Sequence, residues 1–321
     1  MPVEDIDLRL DDNLNDNDQN LQLVEEQNDI SSQNLDTKTI NSNSNNKREY
    51  TVNIPPDSKP IVVLCGPPNS GKSMIIKCLA DYLYNSSELG YSIKANRNLI
   101  AHDDYQLDCQ IFDSSLGQEA PLSNTTDFLL ADVIDKNGDI KLYFLEAPGE
   151  HYFSFDKIKD EPNLPFKHYL SKVATTGSGI QRKVIYVIIL DLDSPIPFRR
   201  NETFRKKYQD KMIRLYNNYV KGRNSKVILL YNKVDIPQDG KWANSNGVFN
   251  LPSIIADAKG HYPNFFNNFT RKILGFFTID NFTFLPFCTG TYNPDENGNK
   301  TYTSPGSYYP ATLWKELVKR F

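Results

Sequence analysis

Hydrophobic and polar positions divide the chain near residue 50. Before that point polar residues dominate and no period of 2 or 3.6 is sustained; after it, short apolar runs alternate with stretches of helical spacing. Residues 61–65 (IVVLC) form a continuous apolar run, as expected of a strand covered on both faces. Residues 73–84 then place Ile75, Ile76, Leu79, Tyr82 and Leu83 on one side of a helix. A polar stretch, 85–124, gives few signals. Residues 128–134 and 140–145 read as two strands joined by Asp135-Lys136-Asn137-Gly138-Asp139, a hairpin turn. Further strands are expected at 182–192, 226–231 and 282–288, and a closing helix at 311–321. Between them, 198–220 reads as a long helix with Tyr208, Met212, Leu215, Tyr216 and Tyr219 as its apolar stripe. Strands separated by crossovers imply an α/β fold: a mostly parallel sheet with one antiparallel hairpin strand and helices on both faces.

Composition sharpens the division. Residues 1–49 hold 12 acidic and 4 basic residues and no aromatic one. Such a segment buries too little apolar surface to offset its ordering entropy, so 1–50 is expected to be a disordered acidic, Asn-rich tail. The chain as a whole has 36 basic and 40 acidic residues. Beyond the tail 32 basic and 28 acidic remain, too mild an excess to argue for nucleic acid. Cys65, Cys78, Cys109 and Cys288 lack metal-ligand spacing and are expected to be reduced and structural. The acidic start is unlike a signal peptide, and the longest apolar run, 184–190, is too short to span a bilayer. A cytoplasmic protein is expected. Arg199, Arg200, Arg205, Lys206, Lys207, Lys211 and Arg214 make the 199–214 helix basic. A solvated face is the expected reason, with peripheral contact to lipid headgroups or an acidic partner as the alternative.

Two motifs carry chemistry. Gly66-Pro67-Pro68-Asn69-Ser70-Gly71-Lys72-Ser73 fits G-x-x-x-x-G-K-[ST] and lies between a strand and a helix. Its glycines permit close backbone approach, and its N–H groups can converge on phosphates at the helix N-terminus. Lys72 would neutralise phosphate charge and the Ser73 hydroxyl would ligate Mg²⁺. Asn232-Lys233-Val234-Asp235 follows another apolar strand. The Asp235 carboxylate can accept from the N1–H and N2–H₂ edge of guanine, which adenine does not offer. Asn232 would support that loop and the Lys233 stem would lie over the purine.

These loops resemble the first and fourth signature motifs of the translation-factor- and Ras-related P-loop GTPases, in the right order over 58–321. The resemblance implies GTP/GDP and Mg²⁺ as ligands, with Gly66, Asn69, Ser70, Gly71, Lys72 and Ser73 around the phosphates. It implies further roles in between. Leu145-Glu146-Ala147-Pro148-Gly149-Glu150 is similar to the Asp-x-x-Gly switch motif, with Glu146 where the family has Asp. Gly149 N–H would contact the γ-phosphate, and Glu146 would hold the metal through a water. Thr125 or Thr126 stands where the switch threonine belongs, Thr126 being the metal ligand assigned. Cys288-Thr289-Gly290 lies where the family sets a backbone loop against the guanine oxygen. The Pro-Gly-Glu followed by His151, Tyr152 and Phe153 resembles the bacterial double-GTPase group, although this chain has room for a single module, 51–321.

For hydrolysis, Glu150 and His151 occupy the position of the family's water-orienting residue. A carboxylate beside polyanionic phosphate is disfavoured, and no arginine lies near Thr125, the nearest upstream being Arg97. A GTPase switch with slow intrinsic hydrolysis, stimulated by a partner protein, is therefore expected; a nucleotide-binding module without useful hydrolysis is the alternative. Insertions near 85–124, 157–181 and 238–263 are expected to define that effector or activating partner.

Overall fold

A computed structural model describes residues 53–67, 70–115, 129–146, 182–191, 202–221, 225–234, 250–273, 277–294 and 300–319, all within one unit, 48–321. Its centre is β1, Ile61–Cys65, whose five residues are all buried. That strand pairs in parallel with β4 (Ile140–Glu146) on one side and β5 (Val184–Asp191) on the other. The sheet continues through β6 (Ser225–Asn232) to β9 (Phe282–Pro286), all parallel. On its other flank β3 (Leu129–Asp135) runs antiparallel to β4 and to the edge strand β2 (Tyr91–Ala95). The order β2-β3-β4-β1-β5-β6-β9 is the expected α/β sheet with one antiparallel strand.

The 135–139 turn closes as its sequence predicts. Asp135 Oδ1 accepts from the N–H groups of Asn137 and Asp139, each at 2.9 Å, and Gly138 has φ 85°.

Helix α1, Lys72–Asn85, buries Ile75, Ile76, Leu79 and Leu83 against the sheet. Each such side chain contributes about 1.5–3 kcal/mol relative to exposure. Helix α2 is Asp103–Ser115, α3 is Glu202–Leu215 with one π turn after it at Tyr216–Val220, and α4 is Leu251–His261. A short α5 (Pro263–Asn268) precedes a hairpin of β7 (Thr270–Ile273) and β8 (Phe277–Asp280). A second hairpin, β10 (Thr291–Pro294) with β11 (Lys300–Thr303), leads into α6, Tyr308–Val318.

Several expectations shift. The 85–124 stretch, sparse in hydrophobic signals, supplies both the edge strand and α2. Side chains do there what periodicity would have announced: Asp113 Oδ1 accepts from Ala95 N–H at 2.8 Å, and Tyr105 Oη donates to Asn96 O at 2.7 Å. The last sheet strand ends at Pro286 rather than at 288, and the closing helix begins three residues before 311. In the basic helix, Lys211 is buried and Lys207 lies over the Phe204 ring, so Lys206 and Arg214 are the exposed cations among 202–215. That weakens the case for a lipid-facing stripe. No helix among the described residues is long and apolar enough to cross a membrane. All four cysteines are buried thiols.

At the foot of the sheet, before β5, the fully buried Arg182 donates through Nη2 to Pro55 O, to Asp57 O at 2.6 Å and to Asp57 Oδ1 at 3.4 Å. Tyr143 Oη donates to Asp57 Oδ2 at 2.6 Å. Residues 55–57 are thereby fastened to β4 and β5 at the end opposite the motifs.

Candidate functional site

Both motifs lie at the carboxyl ends of parallel strands, where open α/β sheets bind ligands at the point where strand order reverses. Here that point is β1, flanked by β4 and β5. The loop after β1 turns at Ser70, whose N–H donates to Pro67 O at 3.2 Å, and enters α1 through Gly71. Gly71 has φ 85°, a conformation that favours glycine. A Cβ on Gly66 would collide with Ser70 Oγ and lie 3.2 Å from Ile189 Cβ, so the loop packs on β5 only with glycine there. Among the described residues no side chain caps α1, and no acidic residue occupies its first turn, so its positive dipole end suits an anion.

Lys72 Nζ donates to the carbonyls of Gly66 and Pro67, at 3.3 and 3.1 Å. Ser73 Oγ donates to Glu146 Oε1 at 2.5 Å. The register pairs Leu64 with Glu146, which sets the last residue of β4 beside the root of the 66–73 loop. Glu146 is 2% exposed, and its Oε2 has no hydrogen-bond partner among the described residues. Burial pushes its carboxyl up, while the Lys72 charge and the Ser73 hydroxyl pull it down without cancelling that push. An orphaned buried carboxylate oxygen beside a serine hydroxyl is a hard-oxygen donor set, and it fits Mg²⁺.

The second motif meets the first. Asn232 is completely buried, and its Nδ2 donates to Ser70 O at 2.9 Å across 162 residues of sequence. Lys233 has φ 63°, alone among the described non-glycine residues in having a positive φ. Val234 N–H donates to Phe287 O at 3.2 Å and Phe287 N–H to Tyr231 O at 2.7 Å, tying this loop to the one after β9. There Thr289 is buried and its carbonyl accepts from Cys78 Sγ at 3.6 Å, while Gly290 N–H donates to Cys288 Sγ at 3.2 Å.

Of the expected site residues, the structure thus gathers Gly66, Ser70, Gly71, Lys72, Ser73, Glu146, Asn232, Lys233 and Thr289 at one end of one sheet. Asn69, Thr125, Thr126, Gly149, Glu150, His151 and Asp235 lie outside the described residues. So do the 1–50 tail and the 157–181 insertion. Cys78 was not anticipated in this role. Its position in α1 marked it only as an apolar filler, and no motif announces that its thiol reaches the Thr289 carbonyl.

No protein-family profile matches the chain, and no curated protein does. Among solved structures, it is similar to Roco2 RocCORdC of Methanosarcina barkeri bound to GDP, with 16% identity and a TM-score of 0.29 over 85% of this chain and 53% of that one. It is also similar to the GTPase-like domain of S. cerevisiae Ski7 bound to GTP, with 14% identity and a TM-score of 0.35 over 82% and 50%. The chain spans about half the length of the structures it matches. Its own topology makes it an α/β protein with a G-x-x-x-x-G-K-S loop at the switch point of a mostly parallel sheet.

Proposed function

We propose that the chain binds GTP and GDP with Mg²⁺ and acts as a nucleotide-dependent switch whose own hydrolysis is slow. The observation that carries this reading is the Asn232 Nδ2 to Ser70 O hydrogen bond, which joins the base-reading and phosphate-holding motifs. A chance polar turn after β6 has no reason to contact the loop after β1.

In this reading Lys72 exchanges the Gly66 and Pro67 carbonyls for phosphate oxygens, which carry more charge and accept more strongly. Ser73 and Glu146 hold the cation, and Asp235 selects guanine over adenine. Bound Mg²⁺ supplies charge neutralisation across the β- and γ-phosphates. Gly149, with Thr125 or Thr126, would complete the γ-phosphate contacts, and Glu150 or His151 would orient water. Arg97 is paired with Asp113 at 3.2 Å on the α2 side, and a catalytic arginine would come from a partner protein. Such an arginine typically adds ~10³–10⁵ in rate.

The test is competition of GTP against ATP for the purified chain, with Asp235→Asn as control. Preference for GTP that Asp235→Asn abolishes is expected; preference for ATP would end the guanine reading. Single-turnover hydrolysis tests the rest, and rapid unaided turnover would contradict the slow switch. A second reading, nucleotide binding without useful hydrolysis, draws on Glu146 standing in direct contact with Ser73. Glu150→Gln separates the two: a rate gain favours the switch, and no gain with nucleotide still bound favours the binding module.

A further inference from the structure

Glu146 departs from the Asp that the switch motif ordinarily carries, and the structure shows what its extra methylene does. Being the last residue of β4, it is fixed in register beside Leu64, and its carboxylate is already in contact with the first turn of α1. Ser73 Oγ lies 2.5 Å from Oε1. Neighbouring oxygen ligands of an octahedral ion with 2.0–2.1 Å bonds stand about 3 Å apart, so this carboxylate is within one coordination edge of Ser73. An Asp at the same backbone position would end about 1.5 Å short, the length of one C–C bond. A water would have to fill that gap.

We infer that Glu146 ligates the divalent cation directly through Oε2, as an inner-sphere partner of Ser73, and replaces one water that an Asp would leave in place. This rests on the nucleotide reading above and adds the mode of coordination to it. Three further observations support it. Oε2 is buried and has no partner among the described residues, a costly state for an acceptor with no ligand to serve. Lys72, whose charge acts on Glu146, directs its ammonium to the Gly66 and Pro67 carbonyls. Ser73 donates its proton to Oε1, and a hydroxyl oxygen can donate and ligate at once, so both residues can act together.

The experiment uses Mn²⁺ as the probe, with the full chain and GDP. The waters bound to Mn²⁺ are counted from line broadening of its electron paramagnetic resonance in ¹⁷O-enriched water. Wild type, Glu146→Asp and Glu146→Gln are compared, and GDP affinity without metal is measured alongside. Glu146→Asp should gain one bound water and lose about tenfold in Mn²⁺ affinity. Glu146→Gln, which keeps the length and loses the charge, should keep the water count and lose affinity by at least as much. Equal water counts in wild type and Glu146→Asp, with GDP bound, would overturn direct ligation and leave the nucleotide reading standing. Failure of the wild type to bind GDP at all would overturn that reading, and the inference with it.

Discussion

Replacing Gly71 with Ala should destabilise the protein by about 2–5 kcal/mol, the sum of two separable costs. The first is backbone strain: Gly71 has φ 85° and ψ 22°, and a side chain in that region costs about 1–2 kcal/mol. The second is contact, because a Cβ would stand 2.8 Å from Asn232 Nδ2 and 3.5 Å from Thr289 Cγ2. A flexible exposed amide could move aside cheaply, but Asn232 is fully buried and bonded to Ser70 O. Displacing it forfeits that bond and strands its partners, about 1–3 kcal/mol. Gly138 provides the control, having the same φ of 85° with nothing within 4 Å of its would-be Cβ. Gly138→Ala should therefore cost only the backbone term, about 1–2 kcal/mol. Urea unfolding of wild type and both variants measures the difference, which should be at least about 1 kcal/mol at unchanged m. A fluorescent GDP analogue should bind Gly71→Ala at least about tenfold more weakly, since each 1.4 kcal/mol is a factor of ten. Equal destabilisation by the two substitutions, with undiminished binding, would show that Asn232 does not brace the phosphate loop.

The remaining predictions concern the same bond and the foot of the sheet. Asn232→Ala should weaken GDP-analogue binding and lower stability by about 1–2 kcal/mol, read by the same titration and urea curves. Tyr143→Phe removes a 2.6 Å hydrogen bond to a carboxylate and should cost about 1.5–3 kcal/mol in urea, with GDP-analogue affinity unchanged because Tyr143 is level with Ile61, at the opposite end of β1 from the 66–73 loop. Burial acts to raise the Asp57 carboxyl, but the Tyr143 hydroxyl, the Lys59 amide and the Lys59 and Arg182 charges outweigh it and hold it below its ordinary value. Ionised Asp57 therefore stabilises the fold above that ordinary value, and its contribution is lost as pH falls through the depressed one. Stability of the wild type should drop more steeply below about pH 4 than that of Asp57→Asn, in urea unfolding at stepped pH.

The central strands were legible because β1, β5 and β6 are buried on both faces and so spell unbroken apolar runs. The hairpin was legible because Asp135 and Gly138 have one conformational use each. Strand β2 was not, because an edge strand of the pattern Tyr-Ser-Ile-Lys-Ala buries only Ile93 and Ala95, and Asp113 from a later helix completes its bonding. Among site residues, the motifs identified Lys72, Ser73 and Asn232 by type. That Glu146 would touch Ser73 depended on the pairing of Leu64 with Glu146, which is a property of strand order and register.

Strand order also explains why the two motifs are one site. Cys65 is level with Ile188 of β5, and Ile188 with Leu229 of β6, so Asn232 stands three residues beyond the end of β1 and two strands across. With a rise of about 3.3 Å per residue and a strand spacing of about 4.8 Å, that is about 10 Å upward and 10 Å sideways. Ser70 O nonetheless accepts from the Asn232 amide, so residue 70 stands within hydrogen-bond reach of a residue two strands away. A Cβ at residue 66 would collide with Ser70 Oγ and stand 3.2 Å from Ile189 Cβ, and one at residue 71 would stand 2.8 Å from Asn232 Nδ2. The Asn232 contact thus adds to the need for glycine that φ 85° already sets at residue 71.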